Sequence, residues 1–144
     1  MVSHQAQEAA AVRETLRKNF LRTKFRVVSS GVYGVCVSWT DGPTKDEVGD
    51  VLVAADLYLS GHRMTRKFSP RYLAAVMAGL QARDGWPECP IMDHGDGTAA
   101  FSWDGRKLGP EPRVKDHWGR EEYLTLACVA KAHAGHGPDT RKAG

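Results

Sequence analysis

Between Lys24 and Val48 the chain reads KFRVVSSGVYGVCVSWTDGPTKDEV, and the order of side chains there leaves the backbone little choice. Phe25, Val27 and Ser29 fall on one face of an extended segment, and Lys24, Arg26 and Val28 fall on the other. Val35, Val37 and Trp39 alternate with Cys36 and Ser38 in the same way. Period two, twice, around the small residues Ser29, Ser30, Gly31 and Gly34, predicts a β-hairpin. Thr40-Asp41-Gly42-Pro43 stops the second strand, and Thr44 with Glu47 three residues later makes a capping box for a helix.

The same residues carry a family resemblance. The segment from Val37 to Thr44, with Glu47-Val48 behind it and an amphipathic helix and Lys24-Phe25-Arg26-Val27 before it, resembles the large polyvalent protein-associated domain numbered twenty-nine in its series. The resemblance covers about the first 50 residues. Members are mostly pieces of very large proteins of phages and conjugative elements, understood to enter a recipient cell with the DNA and protect it from host defences. The resemblance implies a small phage or mobile-element protein that binds and inhibits a host macromolecule. The expected role is a counter-defence, anti-CRISPR-like inhibitor, and the expected partner is a host protein or ribonucleoprotein complex. The family offers no catalytic residues to carry over.

Spacing predicts the remaining elements. Ala9, Val12, Leu16 and Phe20 recur at three- and four-residue steps, giving a helix from about Gln5 to Phe20 with a basic outer face. Val48, Val51, Leu52, Ala55 and Leu59 give a second from about Lys45 to Leu59, stopped by Gly61 and followed by a short basic connector. Ser69-Pro70 is an N-cap and first helical residue for a third helix running through Arg83, with Leu73, Val76, Met77 and Leu80 buried. After Asp84-Gly85-Trp86-Pro87, the segments Ile91 to Asp93 and Thr98 to Trp103 form a second hairpin across His94-Gly95-Asp96-Gly97. Gly109-Pro110-Glu111-Pro112 is free of helix, and a last helix runs from about Gly119 to Ala134. The order αββααββα predicts an α+β fold, one mostly antiparallel sheet of two hairpins with about four helices packed on it. Phe101-Ser102-Trp103-Asp104-Gly105 loosely echoes Val37-Ser38-Trp39-Thr40-Asp41-Gly42, a likeness that duplication and chance both produce.

At 144 residues the chain has the length of one ordinary domain, expected over 1–134 with a flexible tail at 135–144. No apolar run approaches the length that spans a bilayer, and MVSHQAQEAAAV lacks the basic start and apolar core of a signal peptide. A soluble protein in the cytoplasm of a bacterial host, without membrane partners, is expected. Cys36, Cys89 and Cys128 are too few and too scattered for a disulfide framework and are expected as reduced packing residues.

Charge distribution singles out the candidate contacts. From residue 13 to 26 there are six cations, Arg13, Arg17, Lys18, Arg22, Lys24 and Arg26, against Glu14 alone. His62, Arg63, Arg66, Lys67 and Arg71 follow with no acid among them, while the helix between the clusters is acidic through Asp41, Asp46, Glu47, Asp50 and Asp56. Arg13, Arg17, Lys18, Arg22, Arg26, Arg63, Arg66, Lys67 and Arg71 are the expected nucleic-acid or partner contacts, with Tyr33 at the hairpin tip as an aromatic anchor. The plainer reading is a solvated helix surface balanced by the acidic helix. Asp46 and Glu47 are explained by their helix N-terminus, where negative charge meets the positive end of the dipole. Asp93-His94-Gly95-Asp96 has turn residues without the ligand number of a metal loop. No nucleophile with its base and no phosphate loop stands out, so no catalytic, cofactor or metal residues are assigned and no enzyme is expected. Two further readings remain: a nucleic-acid-binding accessory domain using the basic helix and loop, and an unrecognised enzyme.

Overall fold

Helix α1 (His4–Asn19) forms where the apolar spacing predicts it, burying Ala9, Val12 and Leu16. The structure is a computed structural model, and it describes residues 4–30, 32, 34–116 and 118–135. Behind α1 the chain turns into β1 (Arg26–Ser30), paired antiparallel with β2 (Gly34–Thr40) so that Arg26 faces Ser38, Val27 faces Val37 and Val28 faces Cys36. Val35, Val37 and Trp39 point into the core, as period two requires. Phe25 links Phe20 to Trp39 through ring contacts at 5.7 and 5.4 Å, and the Trp39 indole N–H donates to the Pro43 carbonyl at 2.9 Å.

The predicted capping box is present. Thr44 Oγ1 accepts from the Glu47 amide at 3.1 Å, and Glu47 Oε1 accepts from the Thr44 amide at 3.0 Å. It opens α2 (Lys45–Ala54), which buries Val48 and Leu52 against the same side of the sheet as α1. The helix stops one turn before the predicted end at Leu59. Asp56 takes a left-handed conformation (φ 63°), its amide donates to the Val53 carbonyl and the Leu57 amide to the Leu52 carbonyl. This paired closure normally uses glycine, and aspartate is among the few residues that tolerate it. Leu59 is still buried, reached by irregular chain.

The basic connector predicted after Gly61 is a strand. A 3-10 turn (Gly61–Arg63) leads into β3 (Met64–Lys67), which lies parallel to β2 with Val37 beside Met64 and Thr40 beside Lys67. Alternation was hidden because the second inward position holds Arg66. That guanidinium is 5% exposed; Nε donates to the Asp41 carbonyl at 3.0 Å and a terminal nitrogen to the Gly42 carbonyl at 2.9 Å. The Asp41 amide in turn donates to the Lys67 carbonyl at 2.8 Å. Asp41 (φ 56°) and Gly42 (φ 58°) are consecutive left-handed residues, and a Cβ at Gly42 would meet Thr23 Oγ1 at 2.8 Å.

These elements make one compact unit ending at Lys67, and Phe68–Gly135 make another. Two cores form in the span expected as a single domain, because the apolar stripes before and after Lys67 face different strands. In the second unit α3 (Pro70–Asp84) begins with Ser69 Oγ accepting from the Tyr72 amide at 3.1 Å and closes on left-handed Gly85. It buries Tyr72, Leu73, Met77 and Leu80 with the hairpin β4 (Ile91–Asp93) and β5 (Ala99–Phe101). A one-turn helix α4 (Gly105–Leu108), a third hairpin of β6 (Arg113–Lys115) and β7 (Glu121–Tyr123), and α5 (Leu124–Ala134) complete it. The third hairpin was not predicted. Asp116 Oδ1 draws the Trp118 and Arg120 amides, both at 2.9 Å, into a turn through left-handed Gly119, so the final helix starts later than spacing suggests.

The fold is α+β with both predicted hairpins. In place of one sheet, the described strands form three: β1-β2-β3, β4-β5 and β6-β7. Among the described residues no helix is long and apolar enough to cross a membrane.

Two substitutions test this account. Arg66→Met keeps the bulk but strips two buried carbonyls of their donor, and is expected to lower stability by about 3 kcal/mol in urea denaturation. A variant as stable as the parent would show that the guanidinium does not hold the corner. Asp56→Gly, which relieves the left-handed side chain, is expected to gain about 0.5 kcal/mol by the same measurement.

Candidate binding face

Because β1, β2 and β3 alternate, burying one set of side chains exposes the other. The outward set is Arg26 and Val28 on β1, Cys36, Ser38 and Thr40 on β2, and Thr65 and Lys67 on β3. The three strands contain no Asp or Glu on either face. Register sets Arg26, Ser38 and Thr65 in a row across the sheet, with Lys67 beside Thr40. Arg26, Ser38, Thr65 and Lys67, with Val28 and Cys36, line an open groove of about 410 Å³.

Arg63 reaches the same sheet from the 3-10 turn. Its guanidinium lies against Gly34 at the start of β2, with one nitrogen 3.2 Å from where a Cβ on Gly34 would stand. The missing side chain, in a left-handed backbone (φ 77°), is what admits the arginine there. Among the described residues, Arg26, Arg63 and Lys67 have no ion-pair partner. The three are therefore fixed on hydrogen-bonded backbone with their charge uncompensated by a neighbouring carboxylate.

The other expected contacts are placed differently. Arg66 is a correction: it is buried under the corner, as described above, and does not reach the surface. Arg13 donates to the Val27 carbonyl at 3.1 Å, which ties it to β1. Arg17 and Lys18 share Glu14 at 3.9 and 3.3 Å, exposed pairs whose worth is below about 1 kcal/mol. Arg22 is exposed in the turn after α1. Arg71 is exposed at the start of α3 in the second unit, apart from the chain segment that carries the other cations. Tyr33 lies outside the described residues. Sequence spacing missed the juxtaposition of Arg26 with Lys67, which exists only because β3 adds to the hairpin. The signal available was Met64 and Arg66 alternating with Thr65 and Lys67.

Two turn aspartates and two buried cysteines serve structure. Asp93 Oδ1 accepts from the Gly95 amide at 2.8 Å, and Asp96 Oδ1 from the Thr98 amide at 3.0 Å and hydroxyl at 2.6 Å, so both aspartates shape the β4-β5 turn. Those Thr98 bonds hold the Asp96 carboxyl below its ordinary range. Cys89 and Cys128 are buried free thiols in the second core. Burial pushes the Cys128 thiol up to about 12, the neighbouring Cys89 adding to the effect, and burial also raises Cys89. Cys36 departs from the packing role expected of it, being half-exposed on the outer face of β2.

Residues 3–69 match the family model for large polyvalent protein associated domain 29, a span that includes all three strands of the sheet and the corner. No curated protein and no solved structure matches the chain.

The thiols give a test of both placements. At pH 8 an alkylating reagent is expected to modify Cys36 in the folded protein and to reach Cys89 and Cys128 only on unfolding. A thiol whose folded pKa lies above its unfolded value stabilises fully below the unfolded value, and that contribution is lost as pH rises through the folded one. For Cys128 the window runs from 9.0 to about 12. Unfolding midpoints measured across that range are expected to fall more steeply for the parent than for Cys128→Ala; equal slopes would show that Cys128 is not buried as described.

Proposed function

Starting from a chain whose residues 3–69 match large polyvalent protein associated domain 29, we propose that it serves a phage or other mobile element by binding and blocking a host macromolecule in the bacterial cytoplasm, without catalysis. One observation carries the reading: the outer face of β1-β2-β3, where Arg26, Arg63 and Lys67 stand without carboxylate partners among the described residues. Side chains rooted in a sheet lose less freedom on binding than side chains on a mobile loop, so more of their attraction is kept as affinity. Cations without nearby acids also speed encounter with a negatively charged target. A host defence ribonucleoprotein of the CRISPR kind presents such a target, and this agrees with the genomic setting that the family match suggests.

The test is a plating assay in a host with and without its defence system. The protein is expected to raise phage plating only where the defence is present, and Arg26→Glu with Lys67→Glu is expected to remove most of that gain. An equal gain in the host lacking the defence would overturn the inhibitory reading, and a gain untouched by the double substitution would move the contact elsewhere.

A further inference from the structure

The spacing of charge on the outer face narrows what it takes. Side chains on β1 and β3 stand about 10 Å apart across the sheet at ordinary strand spacing, and the Arg63 guanidinium lies at Gly34, the opposite end of β2 from Thr40 beside Lys67. A compact multivalent anion needs donors that converge, whereas these three cations are spread over the face. Ser38, Thr40 and Thr65 stand between them as hydroxyl donors, on strands that hold no carboxylate. Spread single charges interleaved with hydroxyls complement a chain of singly charged phosphodiesters.

We infer that this face binds the sugar–phosphate backbone of single-stranded nucleic acid, without reading its sequence. A three-stranded face is too broad to enter the major groove of B-form DNA, so a rigid duplex meets it only along its outer phosphates, whereas a flexible single strand can follow all three cations. Among the described residues of this face no aromatic ring points outward to stack on a base. Phe25 and Trp39 pack on each other at 5.4 Å on the inner side, and the outward positions other than the cations and hydroxyls are Val28 and Cys36. Binding is consequently electrostatic and steeply dependent on salt. The inference rests on taking this face as the contact surface, and it names the occupant.

The experiment uses purified intact protein, so it does not depend on any host. Fluorescence anisotropy is read with a labelled 20-nucleotide thymidine strand, a uridine strand of the same length, a 20-base-pair duplex, and a labelled polyglutamate peptide of matched charge. Both single strands are expected to bind, with log affinity falling against log salt at a slope of about −2 for three phosphate contacts. Arg26→Glu with Lys67→Glu is expected to weaken them on the order of tenfold or more, while Arg13→Glu with Arg17→Glu on α1 leaves them within about twofold. Lys67→Arg, which keeps the charge, is expected to bind as the parent does. All these residues are exposed, and unfolding midpoints verify that each variant is folded. Absence of single-strand binding, tighter binding of the duplex, or equal binding of polyglutamate would overturn the inference. The last outcome would make the face a dock for an acidic protein segment, leaving the proposed blocking of a host macromolecule intact.

Discussion

A single buried guanidinium ties the third strand of the first unit to the corner that follows the second. Arg66 spans from β3 to the corner where β2 ends, donating to the carbonyls of Asp41 and Gly42, while Asp41 returns a backbone bond to Lys67. Two consecutive left-handed residues are an unfavourable way to leave a strand, and they persist only where the surroundings over-determine them. Here the surroundings are Arg66 on one side and Thr23 pressed against Gly42 on the other. The corner aims Pro43 and Thr44 so that the capping box can form, the box starts α2, and α2 covers the inner face of the sheet. The outer face is left open because both covering helices pack on the other side.

Local chemistry made part of this visible in advance. The β1-β2 hairpin, the Thr44-Glu47 box, the Ser69 cap and the β4-β5 hairpin each depend on residues within a few positions of one another, and each is legible in the sequence. What escaped depends on partners far along the chain. β3 is concealed because its inward residue is an arginine whose acceptors lie 24 and 25 positions earlier, so it looks like a charged loop until those carbonyls are in view. The early end of α2 turns on Asp56 adopting a conformation usually left to glycine, and β6-β7 on one carboxylate gathering two amides. The basic cluster was legible as a cluster, but sorting it was not: Arg66 went inward, Arg13 to a backbone carbonyl, and Arg26 and Lys67 onto one face, according to a register that charge alone does not encode.

The likeness between Trp39 and Trp103 has a local physical meaning. Each indole N–H donates at 2.9 Å to a carbonyl beyond the turn that follows it, Pro43 in one case and Gly109 in the other. A tryptophan near the end of a strand, anchored to the loop ahead, is a short solution to directing a chain out of a sheet. The surrounding elements differ, since β2 is joined by a parallel third strand whereas β5 remains in a two-stranded hairpin.

A sheet of three strands has two edges, β1 and β3, whose outward backbone rows have no further strand paired to them among the described residues, although Arg13 donates to the Val27 carbonyl on β1. Exposed rows of this kind invite another chain to add itself, and lysine or arginine on a short outer strand is a common safeguard. Arg26 sits on one outer strand and Lys67 on the other, in strands of five and four residues. Two of the three cations of the open face thus stand on the edge strands, where charge disfavours strand addition. Selection acting on this surface would be doubly constrained under the proposed function: a drift toward neutral side chains would weaken the proposed contact and at the same time remove charge from both edge strands.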